Sequence, residues 1–307
     1  MAVVFSDDEV AAALDGSTAV AAMREALLAA YDGRLVAPPR ATAPLRDGRL
    51  VMTAGQLADE WYGFRSYDTF GHPDGEQVVV LHDARTGRIR AVAVGEEIGS
   101  RRTGALGGAA VDALARPDAG TLGVLGAGRQ AWTQVWATAA VRPLREVTVH
   151  SRTPAGREAF AARVRAELGV PAWPVADPRA AVRDRDVVVL ATTSRTPVLS
   201  AADLAPGTHL NAVGFKQVGR SEFGPDLLDR ADVLATDSPA QALAYDPPML
   251  AAEPRHAGRL RHLGAVLAGA TPGRTGPEQV TVFCSVGLAG TEVALLDRLA
   301  RATLPRA

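Results

Sequence analysis

A glycine-rich turn at residues 126–131 carries the clearest chemical pattern in the sequence. Thr121–Ala131 reads Thr-Leu-Gly-Val-Leu-Gly-Ala-Gly-Arg-Gln-Ala, so a GxGxxA pattern follows an apolar strand and precedes a predicted helix. Gly126 permits the tight turn, Gly128 lets the backbone approach a pyrophosphate, and the small Ala131 lets helix and strand pack closely. The amides and the dipole at the helix start attract phosphate. The pattern predicts dinucleotide binding, and a purely structural turn is the alternative. The predicted contacts are Gly126, Ala127, Gly128, Arg129 and Gln130.

The segment after the second strand of this pattern indicates which dinucleotide is preferred. An acidic residue about 20 residues beyond the glycine turn would hold the ribose hydroxyls of NAD. This chain has His150-Ser151-Arg152-Thr153 there, without a carboxylate. A guanidinium and two hydroxyls suit a 2′-phosphate. Ser151, Arg152 and Thr153 therefore predict NADP(H) in preference to NAD(H), and an exposed loop arginine is the alternative.

From Pro117 onwards, short apolar strands alternate with helical or turn-rich stretches. This rhythm is typical of a parallel, doubly wound sheet. A good intervening helix spans Pro154–Leu168, with Pro154 near its start and Gly169 just past its end. The predicted strands are Thr121–Leu125, Val147–His150, Ala172–Val175, Asp186–Ala191, His209–Val213, Val233–Ala235 and Gln279–Cys284.

The first third of the chain has a different pattern. Ser6-Asp7-Asp8-Glu9 is a capping box that starts a first helix, and a second is predicted over Thr18–Tyr31. Short strands separated by turn signals then predict a largely antiparallel sheet. They are Leu50–Thr53, Trp61–Phe70, Gln77–His82 and Arg88–Val94. A last helix is predicted from about Leu288 to Ala302.

Composition excludes several classes of function. The 307 residues carry 33 Lys and Arg against 34 Asp and Glu, so no field of one sign favours nucleic acid as a partner. The chain start turns acidic at Asp7, which argues against a signal peptide. No apolar run approaches the roughly 20 residues that span a bilayer. We expect a soluble, cytoplasmic protein that contacts no membrane, and no metal site is predicted. The single cysteine, Cys284, lies in an apolar strand and is expected to be structural.

Three further segments, in this order and spacing, resemble the ornithine cyclodeaminase/μ-crystallin family. They are Arg102-Thr103 before a small-residue helix, Asn211-Ala212-Val213-Gly214, and Phe283-Cys284-Ser285-Val286-Gly287-Leu288-Ala289. The resemblance runs from about Pro38 to the C-terminal helix. It implies an α/β fold in which a Rossmann-type, doubly wound NADP-binding domain (115–285) is inserted into an α+β substrate and dimerisation domain (1–114 plus 286–307). It also implies a homodimer and a small amino- or imino-acid-like substrate.

The resemblance assigns residues to the substrate. Arg40 and Arg102 match family arginines that hold a substrate carboxylate, and Met52 falls in the strand beside the ligand. Arg65 stands where the family usually has a lysine, and is a candidate for both substrate binding and catalysis. A small buried carboxylate needs permanently charged, bidentate partners, which arginine provides. Further cofactor contacts are implied at Thr103, Thr192, Val213, Gly214 and Ser285.

Lys216 marks a departure from the family pattern. Cyclodeaminases of the family carry an aspartate two residues after Asn-Ala-Val-Gly, as the acid/base next to the substrate amine, and this chain has Phe215 and then Lys216. A lysine cannot accept a proton from a substrate ammonium unless its pKa is heavily depressed. Lys216 is a candidate catalytic proton donor, and an extra substrate anchor and an outward-pointing loop residue are the alternatives.

These patterns favour an NADP(H)-dependent oxidoreductase that reduces a cyclic or open-chain imine of an amino-acid-like substrate. An ornithine- or lysine-type cyclodeaminase, which uses bound cofactor catalytically, is a second candidate, which the missing aspartate disfavours. A cofactor-binding protein without turnover, as crystallin members imply, is a third candidate. An unrelated Rossmann oxidoreductase is the fourth.

Overall fold

The computed structural model describes residues 2–72 and 75–303, and the chain divides into two compact units. The inserted unit is Thr103–Val286, and the split unit combines the segments before and after it. The sequence predicted the first boundary after residue 114. It lies earlier, after Arg102, within a single continuous helix.

The split unit contains a mixed sheet with helices. Its strands are β1 (Val3–Phe5), β2 (Leu35–Val36), β3 (Ala41–Leu45), β4 (Gly48–Leu57), β5 (Trp61–Asp68), β6 (Val78–Asp83) and β7 (Ile89–Val94). Its first helices are α1 (Asp7–Ala13), α2 (Gly16–Tyr31) and the start of α3 (Glu97–Leu114). The strand order is β1-β7-β6-β5-β4-β2, with β3 also paired to β4. All pairs are antiparallel except β1 with β7. This agrees with the largely antiparallel sheet predicted from the sequence, although β1 itself was not predicted.

Local chemistry explains where these helices begin. Ser6 forms the predicted capping box with Glu9 at the start of α1. The carboxylate of Asp7 accepts hydrogen bonds from the backbone amides of Glu96 and Glu97, at 3.1 and 2.8 Å, and so satisfies the start of α3. The sequence did not predict β3, because Ala41–Leu45 is exposed along its whole length and has no alternation of apolar and polar residues.

The inserted unit is built on an all-parallel sheet. Its sheet strands are β8 (Thr121–Leu125), β9 (Glu146–His150), β10 (Ala172–Pro174), β11 (Val187–Leu190), β12 (His209–Ala212), β15 (Val233–Thr236), β16 (Leu260–His262) and β17 (Thr281–Cys284). Their order in the sheet is β10-β9-β8-β11-β12-β17-β15-β16. A small hairpin pairs β13 (Lys216–Gln217) with β14 (Arg220–Ser221). The helices are α4 (Arg129–Val141), α5 (Pro154–Leu168), α6 (Pro178–Val182), α7 (Pro225–Arg230), α8 (Pro239–Leu243), α9 (Pro254–Ala257) and α10 (Leu263–Leu267). Helix α11 (Thr291–Thr303) then completes the split unit.

Two apolar clusters hold the parallel sheet of the inserted unit. One contains Leu190, Leu210 and Phe223, and the other contains Val189 and Trp132. Neighbouring residues of a strand point to opposite faces, so Val189 and Leu190 place the two clusters on opposite sides of the sheet. This confirms the predicted doubly wound α/β fold.

Close helix packing explains the position of the domain boundary. A Cβ at Gly104 of α3 would overlap the backbone of Thr133, and one at Gly107 would overlap the side chain of Gln134, both in α4. The small residues of α3 therefore belong to the packing of the inserted unit. The sequence predicted the boundary at the end of the helix, because the sequence alone does not indicate which part of a helix packs against which unit. In the described part of the chain, no helix has both the length and the apolar character needed to cross a bilayer.

A buried polar chain ties α3 and α4 to the sheet. His209 of β12 contacts Thr281 Oγ1 through Nδ1 at 2.8 Å and Asn211 Oδ1 through Nε2 at 2.9 Å. The Asn211 amide donates to Gly107 O at 3.1 Å and to Gln134 Oε1 at 3.0 Å. Burial is the main cause that lowers the pKa of His209 to about 3, with Arg274 and Arg142 adding to it against the hydrogen bond of Asn211.

Candidate functional site

The glycine turn of the inserted unit is open on one side and closed on the other. Gly126 has a φ of 116°, and a Cβ there would overlap the Ala191 carbonyl. Gly128 caps α4 without any side-chain hydrogen bond, and a Cβ built on it would meet nothing within 4 Å. Ala131 is fully buried beneath the turn. Glycine is thus required at residue 126, and the approachable backbone at residue 128 suits a phosphate at the helix start.

The predicted 2′-phosphate segment follows β9, which neighbours β8 in the sheet. Arg152 and Thr153 are exposed. The Ser151 hydroxyl donates to the Thr153 carbonyl at 3.1 Å, and Arg157 Nη1 donates to the Ser151 carbonyl at 3.2 Å. Because adjacent parallel strands end at one edge, this loop lies on the same edge of the sheet as the glycine turn.

Other predicted cofactor residues follow strands of the same sheet. Leu190, Ala212 and Cys284 are register partners at the ends of β11, β12 and β17. The residues beyond them therefore share that edge, and they are Thr192, Val213, Gly214 and Ser285. Thr103 lies elsewhere, on α3, where its carbonyl accepts from Gln134 Nε2 at 3.0 Å.

Glu222 is a residue at this edge that sequence analysis missed. Its carboxylate accepts from the amide and the hydroxyl of Thr192, both at 2.9 Å, and from the Gly214 amide at 2.6 Å. Burial raises the pKa of Glu222, although the Thr192 amide and the charge of Lys216 oppose the shift. Glu222 links the segments that follow β11 and β12. No short motif marks it, because its partners are distant in sequence.

Lys216 is buried, so the alternative of an outward-pointing loop residue is wrong. Its Nζ donates to the carbonyls of Val213 and Gly214, at 3.0 and 2.6 Å. The ammonium therefore stabilises the turn that follows β12.

The split unit brings two predicted arginines onto one missed carboxylate. Glu292 Oε1 accepts from Arg65 Nη1 at 2.7 Å and from Arg102 Nη2. Burial alone would raise the pKa of Glu292, but the charges of Arg102 and Arg65 and the Arg65 hydrogen bond outweigh it and lower the pKa to about 2. Arg65 also donates through Nε to Gln77 Oε1 at 2.9 Å and lies 4.3 Å from the centre of the Tyr67 ring.

Glycines allow Glu292 to reach these arginines. A Cβ at Gly55 of β4 would lie 2.5 Å from the Cα of Gly290, and one at Gly63 of β5 would lie 2.7 Å from Val293. Helix α11 can therefore start directly against the sheet. This close approach places Glu292 on the sheet face that carries Arg65.

Arg40 belongs to the same cluster. Its Nη1 donates to the Tyr67 hydroxyl at 3.2 Å. A Cβ at Gly287 would lie 3.3 Å from Arg40 Nη2 and 2.9 Å from Arg102 Nη1, so both guanidinium groups flank this glycine. We call Arg40, Arg65, Arg102 and Glu292 the arginine cluster. With three guanidinium groups and one carboxylate, it has a net positive charge.

Met52 does not join the arginine cluster. It is paired with Ser66, whereas Arg65 is paired with the buried Thr53. Neighbouring residues on a strand point to opposite faces, so Met52 lies on the other face of the sheet, where it is 44% exposed. A contact of Met52 with the substrate stays a prediction, and the structure separates Met52 from the arginine cluster.

Comparison with known proteins places these features in a family. Residues 2–301 match the model of the ornithine cyclodeaminase/mu-crystallin family. The chain belongs to this family. Members similar to it include a Δ1-pyrroline-2-carboxylate reductase from Bacillus cereus, which is 34% identical over 230 residues, 72% of this chain and 69% of that protein. Ketimine reductase mu-crystallin from Rattus norvegicus is 31% identical over 297 residues, 92% of each chain.

A solved structure of the family superposes on almost the whole chain. It is the Δ1-pyrroline-2-carboxylate reductase of Thermococcus litoralis in complex with NADH and L-proline, with a TM-score of 0.88 and 26% identity. The match covers 97% of this chain and 96% of the other. The family resemblance and the Rossmann-type fold expected from the sequence are thereby confirmed.

Proposed function

We propose that this protein reduces the C=N bond of a small imino acid with a nicotinamide dinucleotide as hydride donor. The observation that carries the proposal is the positively charged arginine cluster, in which the half-buried Arg40 and the buried Arg102 converge at Gly287. Similar proteins named as pyrroline-2-carboxylate and ketimine reductases support the same chemistry. In this proposal the inserted unit binds the dinucleotide, and the split unit binds the substrate.

The glycine turn fits the dinucleotide. The uncapped start of α4 and the space beside Gly128 leave room for a pyrophosphate, which the amides of residues 127–130 would hold. The bound nicotinamide would supply the hydride, and the protein would contribute positioning and electrostatics. Glu222 and Lys216 would fix the edge loops at Thr192 and Gly214 against it.

NADPH is the dinucleotide we propose. Arg152 is exposed at the sheet edge that carries the glycine turn, and no acidic residue stands at residues 150–153. An arginine there suits a 2′-phosphate, whereas NAD specificity needs a carboxylate for the ribose hydroxyls.

The substrate carboxylate would bind to the arginine cluster. Arg102 uses Nη2 for Glu292, and within the described residues its buried Nε has no hydrogen-bond partner. A buried donor without an acceptor is costly unless a ligand satisfies it. Arg40 and Arg102 would therefore bind the carboxylate. Arg65, which is held by its hydrogen bonds to Glu292 and Gln77, would orient the substrate.

The Lys216 geometry weighs against cyclodeamination. An ammonium bonded to two backbone carbonyls cannot take a proton from a substrate amine, which is the role of the family aspartate at this position. We therefore propose that Lys216 holds the turn, and that the nitrogen receives its proton from water or is already protonated as an iminium when the hydride adds to the carbon.

We also propose a homodimer. Four exposed apolar side chains lie on the face of the sheet opposite the arginine cluster, and they are Leu45, Met52, Tyr62 and Ile89. An exposed apolar sheet face is commonly covered by a second copy.

A substrate panel tests the function. NADPH consumption would be followed with cyclic ketimines and with 2-oxo acids plus amines, beside ammonia release from ornithine and lysine. Cofactor consumption that depends on the imine supports the proposal. Ammonia release without net cofactor change would instead identify a cyclodeaminase, and silence in both assays would identify a protein that binds ligand without turnover.

A further inference from the structure

Glu292 occupies an unusual position for an acidic residue. It is 1% exposed, in the first turn of α11, and one of its oxygens receives hydrogen bonds from two arginines that come from different elements. Arg65 lies on β5 and Arg102 on α3, so nothing in the local backbone fixes the distance between their guanidinium groups. The shared Glu292 oxygen joins the two groups directly, whereas Gln77 and Tyr67 contact only Arg65 of these two arginines.

Electrostatics make this carboxylate necessary for the geometry. Two guanidinium groups that bond to one oxygen lie within a few ångströms of each other, and like charges at that distance repel strongly in a buried setting. The Glu292 charge offsets this repulsion. Without this charge, Arg65 and Arg102 would move apart. The N–H groups of Arg102 that do not bind Glu292 would then no longer be directed at one substrate carboxylate.

The ion pairs serve more than the docking of α11. Gly55, Gly63 and Gly290 already let the helix pack against the sheet through backbone and apolar contacts. Arg102 Nε also has no hydrogen-bond partner among residues 2–72 and 75–303, although it is buried. The cluster is therefore arranged with capacity for one more acceptor.

We infer that Glu292 is a positioning residue that sets the spacing and direction of Arg65 and Arg102 for one substrate carboxylate. The inference rests on the proposed function, because it assumes that the arginine cluster binds the carboxylate. Glu292 itself would not touch the substrate.

The experiment compares two neutral-ring probes that differ only in the acidic group, pyrrole-2-carboxylate and pyrrole-2-carboxamide. Isothermal titration calorimetry on the NADP⁺-loaded, full-length protein would give both dissociation constants. In the wild type, the carboxylate should bind more tightly. Glu292→Gln should weaken carboxylate binding about ten- to a hundredfold, the range of a lost charge-assisted contact, and leave carboxamide binding unchanged. Glu292→Asp keeps the charge but is one methylene shorter, so its loss should be smaller.

Matched variants distinguish three causes of a changed affinity. These are a general loss of folding, an error in the proposed carboxylate site and an error in the proposed role of Glu292. Glu60→Gln, which removes an exposed ion pair with Arg301 in the same unit, should bind both probes as the wild type does. Arg40→Ala should abolish the preference for the carboxylate. If the wild type does not prefer the carboxylate, or if Arg40→Ala keeps that preference, the proposed carboxylate site is wrong and the inference fails with it. If Arg40→Ala behaves as expected but Glu292→Gln and Glu292→Asp bind the carboxylate as tightly as the wild type, only the inference is overturned. Should Glu292→Gln not fold, the Glu292→Asp titration decides alone.

Discussion

Acidification is expected to destabilise the inserted unit through His209. This imidazole is fully buried between Thr281 and Asn211, and burial lowers its pKa from 6.5 to about 3. Asn211 Oδ1 is an acceptor, so the ring carries its proton on Nε2, and Nδ1 faces the Thr281 hydroxyl. The folded state therefore holds the ring neutral at pH values well above 3.

The size of the effect follows from the two pKa values. A lowered pKa in the folded state means that the unfolded chain binds the extra proton, so stability is complete above pH 6.5 and falls as the pH drops from 6.5 towards 3. At pH 5 the solution is about 1.5 units below the unfolded pKa. Each unit corresponds to about 1.36 kcal/mol, so His209 should cost about 2 kcal/mol of unfolding free energy at that pH.

Urea unfolding followed by circular dichroism between pH 7.5 and 5 would measure this loss. His209→Gln keeps a donor near Asn211 but does not titrate, so it should be less stable than the wild type at pH 7.5 and have a flatter dependence on pH. His72→Gln, at an exposed position, is the matched control and should follow the wild type. Parallel curves for the wild type and His209→Gln would refute the reasoning.

Four further outcomes are expected. Arg152→Ala should weaken NADPH binding about ten- to a hundredfold without affecting NADH, as measured by fluorescence titration; equal affinities in the wild type would contradict the assignment. Lys216→Met should raise the KM for the dinucleotide and keep both limbs of the pH profile of kcat, whereas a lost limb would identify Lys216 as a proton donor. Burial raises the pKa of Cys284 to about 12, so Ellman's reagent should label it at pH 8 only after unfolding, and rapid labelling of the native protein would contradict this. Light scattering at micromolar concentration should report a dimer, and a stable monomer would refute the proposed assembly.

The sequence predicted those features whose cause is local. The capping box at Ser6, the glycine turn at Gly126 and the alternating strands and helices of the inserted unit depend on residues close together in the chain. Backbone freedom, capping hydrogen bonds and hydrophobic periodicity act over a few residues, so they can be read from the sequence. Element ends were less accurate, as with β4, which extends over Gly48–Leu57 where only Leu50–Thr53 was predicted.

Tertiary structure alone decided which side chains meet. Glu292 and Arg65 are 227 residues apart, and Glu292 and Arg102 are 190 apart, so no spacing in the sequence connects them. The face occupied by Met52 depended on strand register, since a shift of one residue reverses every side chain. The Lys216 ammonium is satisfied in its buried position because the turn after β12 presents the carbonyls of Val213 and Gly214 to it. Contacts such as these depend on how distant elements pack, and a linear pattern carries no record of that packing.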